Sequence, residues 1–379
     1  MTRYGPPRDD FKEQLPQVRD NTLRNFHLNG GKLAPGRLRK LAEDLKTNTS
    51  VDRIDLCFCE LGDADAIALA EALKVNHSVV KLRLAGNHIS NKGAKALAEA
   101  LEVNHGLGTL ELWQNNIDDE GGVALAQALR KNTTLRELQL SHQIYRGPDK
   151  GIGDVTGIAF AEALKHNRTL AELGLANNQM GIPTAEKMAE MLKENHTLAT
   201  LDIQNSKLGY NGQLVLAEAL KSNRGLVSLE LEGNGESTEL LQAISHAVAE
   251  NKNILKVYEC GRSPEPEYSK LNKVFDRNRK MAESLGKKLA RGAELSATDC
   301  ENIRDRLPAI ASVAWSRCNM APEDMTAAVA KAREQAKAFS IEIGDVPPML
   351  PVLKETQERS AGESTHVKHA NRKSGKLSI

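Results

Sequence analysis

Apolar and polar positions change period within one stretch of the chain. Leu82 and Leu84 alternate with Lys81, Arg83 and Ala85, the period of two that marks a half-buried strand. From Gly93 the period becomes helical, with Ala94, Leu97, Ala98 and Leu101 at i, i+3, i+4 and i+7. Asn87 and Ile89 lie between the two patterns, and Asn104 follows the second. The stretch predicts a short strand, an Asn-containing turn and an amphipathic helix. Elements this small cannot bury their apolar faces alone, so the unit needs copies stacked on both sides.

The copies recur along the chain. The first core position falls at Leu23, Val51, Val79, Leu107, Leu135, Leu170, Leu198, Leu226 and Ile254, at intervals of 28 residues except for 35 between Leu135 and Leu170. The second runs from Phe26, Ile54 and Leu82 to Leu229 and Val257. The third runs from Leu28 to Leu231 and is lost at Glu259, where the array ends. An Asn closes every helix: Asn48, Asn76, Asn104, Asn132, Asn167, Asn195, Asn223 and Asn251. Asn tolerates the left-handed conformation, so each is expected to end its helix that way, and Asn132→Ala to cost on the order of 1 kcal/mol.

The intervals divide the chain. Residues 1–22 form a polar, Pro-containing lead-in or partial cap, expected to be irregular. Repeats occupy 23–261, with seven extra residues near 141–151. A charged helix over 262–291 is expected to cap the last repeat. Residues 292–345 predict a helical appendage of three short helices, over 296–307, 309–317 and 322–343, with Trp315 and Phe339 as its larger core residues. Residues 346–379 read as a disordered basic tail.

Composition narrows the function classes. Aromatic residues make up 3% of the chain, as thin layers of Leu and Ala require, and the net charge of +1 supplies no field for nucleic acid. Five cysteines without a CxxC pair argue against a disulfide framework or a zinc site and for a reducing compartment. No apolar leader and no membrane-spanning run is visible, so a cytoplasmic location is expected; export without a signal would leave no mark.

Candidate chemistry lies between the strand leucines, where side chains are expected to point away from the core into solvent. Arg53, Lys81 and Arg83 predict a basic patch over the early repeats, partly neutralised by Asp55. Glu111, Glu137, Glu172, Asp202, Glu230 and Glu232 make the later repeats acidic, with Gln139 and Gln204 among them. A partner of opposite polarity would be steered into register. Trp113 lies between the zones and is the expected anchor, and Tyr145 and Arg146 in the insertion are residue types favoured at interaction hot spots. Catalytic readings are weak. An open sheet has no enclosed pocket to raise a carboxyl pKa, a His27–Cys57 pair lacks an orienting third group, and there is no phosphate-binding loop. His77, His105 and His196 are spaced by whole repeats, which is expected to keep them from forming a metal cluster. No cofactor, metal or small-molecule substrate is expected.

The unit VVKLRLAGNHISNKGAKALAEALEVN resembles the leucine-rich repeat of the ribonuclease-inhibitor-like subfamily, which includes ribonuclease inhibitors, NOD-like receptors, Ran GTPase-activating proteins and tropomodulins. The resemblance covers about two-thirds of the chain. It implies an α/β fold: a right-handed solenoid shaped as a horseshoe, with a parallel sheet on the concave face and helices on the convex face. It also implies a non-enzymatic scaffold that binds a folded protein on the concave face. Free-standing chains of this type include bacterial effectors, so an effector or a cytosolic regulator is expected. The alternative is a regulator of a small GTPase, similar to Ran GTPase-activating proteins, acting by ordering the GTPase's own catalytic groups. The chain departs from individual members. It lacks the cysteine alternation of ribonuclease inhibitors, its tail is basic rather than acidic, and it has neither a nucleotide-binding domain nor the N-terminal segment of tropomodulins.

Overall fold

Eight three-residue strands form the spine of the protein. In the computed structural model they are β1 (Asn25–His27), β2 (Arg53–Asp55), β3 (Lys81–Arg83), β4 (Thr109–Glu111), β5 (Glu137–Gln139), β6 (Glu172–Gly174), β7 (Thr200–Asp202) and β8 (Ser228–Glu230). All pair in parallel, each with its sequence neighbour, in one open sheet. The register matches equivalent repeat positions: Leu82 faces Leu110, and Leu110 faces Leu138. The structure describes residues 10–28, 30–31, 33–34, 36–143, 151–235, 237–257, 266–318 and 322–345.

Helices alternate with the strands: α1 (Asp10–Arg19), α2 (Arg37–Leu45), α3 (Asp63–Leu73), α4 (Asn91–Val103), α5 (Asp119–Ala128), α6 (Asp154–Leu164), α7 (Ile182–Glu194), α8 (Gly209–Leu220) and α9 (Thr238–Glu250). Leu82, Leu84, Leu97 and Leu101 of a single coil are all buried, between sheet and helices. Each such side chain contributes roughly 1.5–3 kcal/mol. Strands stack ~4.8 Å apart and helices ~8–10 Å apart, so each coil is a wedge and the sheet lies inside the curve.

The helix-closing asparagines correct one expectation. Asn104, Asn195 and Asn251 have φ of −81°, −93° and −86°, extended rather than left-handed. Their side chains work instead. Asn132 donates from Nδ2 to Leu101 O (2.8 Å) and Asn104 O (3.3 Å), and its Oδ1 accepts from the backbone of Thr134 (3.0 Å) and Leu135 (2.7 Å). Every coil is thereby tied to the one before it. A second ladder runs through Asn87, Asn115, Gln143, Asn178 and Asn234 on the other edge of the sheet; Asn115 Nδ2 donates to Leu84 O and Leu112 O at 2.9 Å. Helix starts are tied as well. Asp119 Oδ1, on α5, accepts from Gly153 N and Thr156 N at the start of α6, and Asp154 does the same for Gly181 and Thr184 of α7.

The described part of the lead-in is mostly a helix, α1, rather than irregular. Phe11, Leu15 and Val18 of α1 are buried, and Phe11 meets Phe26 edge-to-face at 5.9 Å. Gln14 closes the open edge of β1, donating to His27 O (2.7 Å) and accepting from His27 N (3.0 Å). Pro16 fits because it lies where the displaced carbonyl, on exposed Lys12, can meet water.

Two compact units divide the chain, residues 1–274 and 275–379. The helix α10 (Pro266–Ala290) crosses the division. In the second unit the expected break at Pro308 is absent: α11 (Ala297–Cys318) runs through it, and α12 (Pro322–Lys337) follows, so two helices replace the predicted three. Pro308 is tolerated because the carbonyl it orphans belongs to exposed Arg304. The core there is Ile303, Leu307, Ile310, Val313, Met325 and Val329. Phe339 is 43% exposed and is not the expected core residue, because it lies beyond the last turn of α12; the Trp315 side chain lies outside the described residues. No described helix is long and apolar enough to cross a membrane. The tail at 346–379 lies outside the described residues.

Candidate functional site

The three-residue strands decide what each face presents. The middle residue enters the core and its neighbours point away from it, so the polar rungs stand on the inner face of the sheet. At β1 and β2 they are open: Asn25, His27 and Arg53 are exposed and Asp55 is half-buried. At β3 and β4 they interlock. The Arg83 guanidinium donates to Asp55 Oδ2 (2.6 Å) across one strand boundary and to Glu111 Oε2 (2.9 Å) across the next. Lys81 Nζ is 3.2 Å from Glu111 Oε1. The register that aligns Asp55, Arg83 and Glu111 produces this chain, so the predicted basic patch is held by acids on both sides.

The expectation of solvent-facing rungs fails from β4 onward in part. Glu111, Glu137 and Gln139 are buried at 4%, 1% and 6% exposure. A buried carboxylate needs partners. Glu111 has Lys81 and Arg83, and Glu137 lies 3.4 Å from Thr109 Oγ1 and 3.5 Å from Gln139 Nε2. Gln139 also donates to Glu172 Oε1 (2.6 Å). Farther along, Asp202, Gln204, Glu230 and Glu232 are half-buried. Gln204 donates to Glu230, and Lys256 Nζ is 3.2 Å from Glu230 Oε1. Tyr145 and Arg146 lie outside the described residues, as do Asn29, Tyr258 and Cys260.

Trp113 is half-buried just past β4, and its partner was not visible in the strand pattern. Phe58 meets it edge-to-face, with ring centroids 5.6 Å apart and planes at 73°. The two residues are two coils apart, and Gly86 lies between them. A Cβ on Gly86 would stand 2.2 Å from the Phe58 ring, so only glycine leaves room for the contact. Phe58 occupies a position that each coil holds in the left-handed conformation among the described residues: Gly30, Phe58, Gly86, Gln114, His142, Asn177, Asn205 and Gly233 all have positive φ. Glycine and asparagine accept this at little cost, whereas a bulky aromatic does not. Phe58 takes φ +58° and remains 36% exposed. An aromatic standing in a column of Gly, Gln, His and Asn is the sequence signal that would have found it.

Nucleophile chemistry finds no support here. Burial, then Asp55, pushes the Cys57 thiol well above its ordinary range, the opposite of an activated thiolate. Cys59 is pushed up to about 11 by the same causes. Cys300 is buried in the second unit, and Cys318 has its side chain outside the described residues. Whole-repeat spacing turns out to bring histidines together, not apart: the rings of His77 and His105 stack 6.0 Å apart. Among the described residues no three potential ligands gather for a metal ion.

Part of the repeat array matches a family of known proteins. Residues 75–98 and 103–126 match the family described as "Leucine Rich repeat". No curated protein sequence matches the chain. Two similar solved structures carry the titles "Leiomodin-1 Actin-Binding Site 2 (ABS2)" and "Structural Genomics of Caenorhabditis elegans: tropomodulin C-terminal domain". The first is 25% identical with a TM-score of 0.32, covering 50% of this chain and 91% of that one. The second is 14% identical with a TM-score of 0.32, covering 49% and 93%. Its parallel short strands, intervening helices and paired asparagine ladders form a leucine-rich-repeat solenoid, part of which, residues 75–98 and 103–126, matches that family.

Proposed function

We propose that the protein is a non-enzymatic scaffold that docks a folded protein partner on the inner face of β1–β4, anchored by Phe58 and Trp113. One observation carries this reading: an aromatic side chain is kept in a costly backbone conformation where it pairs with a tryptophan at the rim of the sheet. Strain of this kind, on the order of 1–3 kcal/mol, concentrates at sites where geometry serves binding. Aromatic and arginine side chains are the usual anchors of such contacts. The Asp55–Arg83–Glu111 chain supports the reading, because its side chains are fixed before a partner arrives and lose little freedom on binding. The exposed Arg53 and the more acidic coils beyond β5 give the face a charge direction for orienting the partner.

Affinity capture from a lysate, read by mass spectrometry, compares wild type with Trp113→Ala, Phe58→Gly and a helix-face control, Val155→Ala. Val155 is 61% exposed. Proteins retained by wild type and by the control but lost from both aromatic variants support the reading. Identical recovery from all four proteins would sink it.

A further inference from the structure

A different surface carries a second charge arrangement, on the edge where helices end and strands begin. The asparagine ladder sets its register. Asn195 Nδ2 donates to Asn167 O (3.1 Å) and Asn223 Nδ2 to Asn195 O (2.9 Å). The residues that follow, Arg168, His196 and Arg224, therefore stand side by side on consecutive coils, and all three are exposed. The coils press closely there, since a Cβ on Gly225 would stand 2.2 Å from His196 O.

The side chains are oriented. Arg168 Nη1 donates to Leu164 O (3.3 Å) and Asn167 O (3.2 Å), and Arg224 Nη1 to Lys221 O (2.9 Å) and Asn223 O (3.3 Å). These contacts lay each guanidinium along the edge and leave its other N–H groups available. Among the described residues neither has a carboxylate within 4 Å. His196 Nδ1 accepts from Arg224 N at 3.4 Å, so the neutral ring carries its proton on Nε2. Burial, and then the charges of Arg168 and Arg224, hold the His196 pKa below its ordinary value. Glu194 is the one carboxylate within 165–170, 193–198 and 221–226.

We propose that this edge binds an extended acidic peptide segment, its carboxylates meeting Arg168, His196 and Arg224 in turn. Spacing favours that occupant. The coils diverge from ~4.8 Å at the strands to ~8–10 Å at the helices, and alternate side chains of an extended chain stand ~6.8 Å apart. Single-stranded nucleic acid fits less well, because it needs aromatic platforms and those three stretches contain no Phe, Tyr or Trp.

The test is fluorescence anisotropy with a labelled peptide alternating Glu and Ser. Wild type should bind it at low salt, lose it at high salt, and bind on the order of tenfold more tightly than Arg168→Glu/Arg224→Glu. An Arg168→Gln/Arg224→Gln pair gives the same comparison should charge reversal disturb folding. In wild type, the His196 imidazole titration followed by NMR should move upward when peptide is added, since carboxylates offset its two cationic neighbours. Equal binding by wild type and both double variants would overturn the proposal. So would an oligothymidylate or anionic vesicles binding where the peptide does not. Trp113→Ala should leave peptide binding unchanged, which keeps this outcome separate from that of the strand face.

Discussion

Asn132 shows how much a single side chain can hold. It is buried and makes four hydrogen bonds to backbone groups in two coils. At about 1 kcal/mol net for each, Asn132→Ala should cost ~4 kcal/mol, well above the value expected from a left-handed turn. Chemical denaturation measures it; a loss below ~1 kcal/mol would mean that water replaces the ladder. Phe58 behaves in the opposite sense. Phe58→Gly relieves a strained backbone worth ~1–2 kcal/mol and gives up an aromatic pair worth ~0.5–1.5 kcal/mol, so stability should change by less than ~1 kcal/mol while partner capture is lost. At this scale the recurring columns of Asn were visible along the chain, but not their role. A column reports that a residue type is required, and both a left-handed turn and a ladder require Asn. Trp113 was legible because the strand's two-residue alternation carries on to it past β4, whereas Phe58 stands in the left-handed turn position, where that alternation has stopped.

At the scale of elements, the strand leucines were read correctly from the second repeat onward because burial imposes a strict period, whereas Leu23 and Leu28 of the first repeat are only half-buried. Leu138 is fully buried in mid-array, and Leu138→Ala should cost ~2–5 kcal/mol by denaturation. Helix starts were less legible. Asp119 lies on α5 yet holds the start of α6, so the cap and the helix it serves are on different coils. Asp119→Ala should cost ~2 kcal/mol, as it removes the acceptor of Gly153 N and of the buried Thr156 hydroxyl. A cost near zero would show that Thr156 finds another partner. The continuous α11 was missed for a related reason: a proline rule applied to sequence does not register that the orphaned carbonyl lies on the wet side of the helix.

At the scale of the whole molecule, two histidines set a response to acid. Burial lowers the His142 pKa, and burial with Arg168 and Arg224 lowers that of His196. The unfolded chain titrates them near ~6.5, so below that value it binds more protons than the folded chain. Stability is therefore full above ~6.5 and falls as pH drops below it. Denaturation midpoints at about pH 8 and about pH 5.5 should show the fall, and His142→Asn should reduce it. Asn serves the same left-handed position at Asn177 and Asn205, so the substitution keeps the turn.

The charge direction of the inner face was legible as a sequence of rungs, but its burial was not. Glu111 and Glu137 alternate as surface residues do, yet both are enclosed. The open part of that face is the early coils and the aromatic rim. Hydrogen exchange of the protein with and without a captured partner tests this most directly. Slower exchange at residues 53–58, 81–86 and 109–114, with the helix surfaces unchanged, is the predicted result. Protection confined to the helices, with those three segments exchanging as in the free protein, would contradict it.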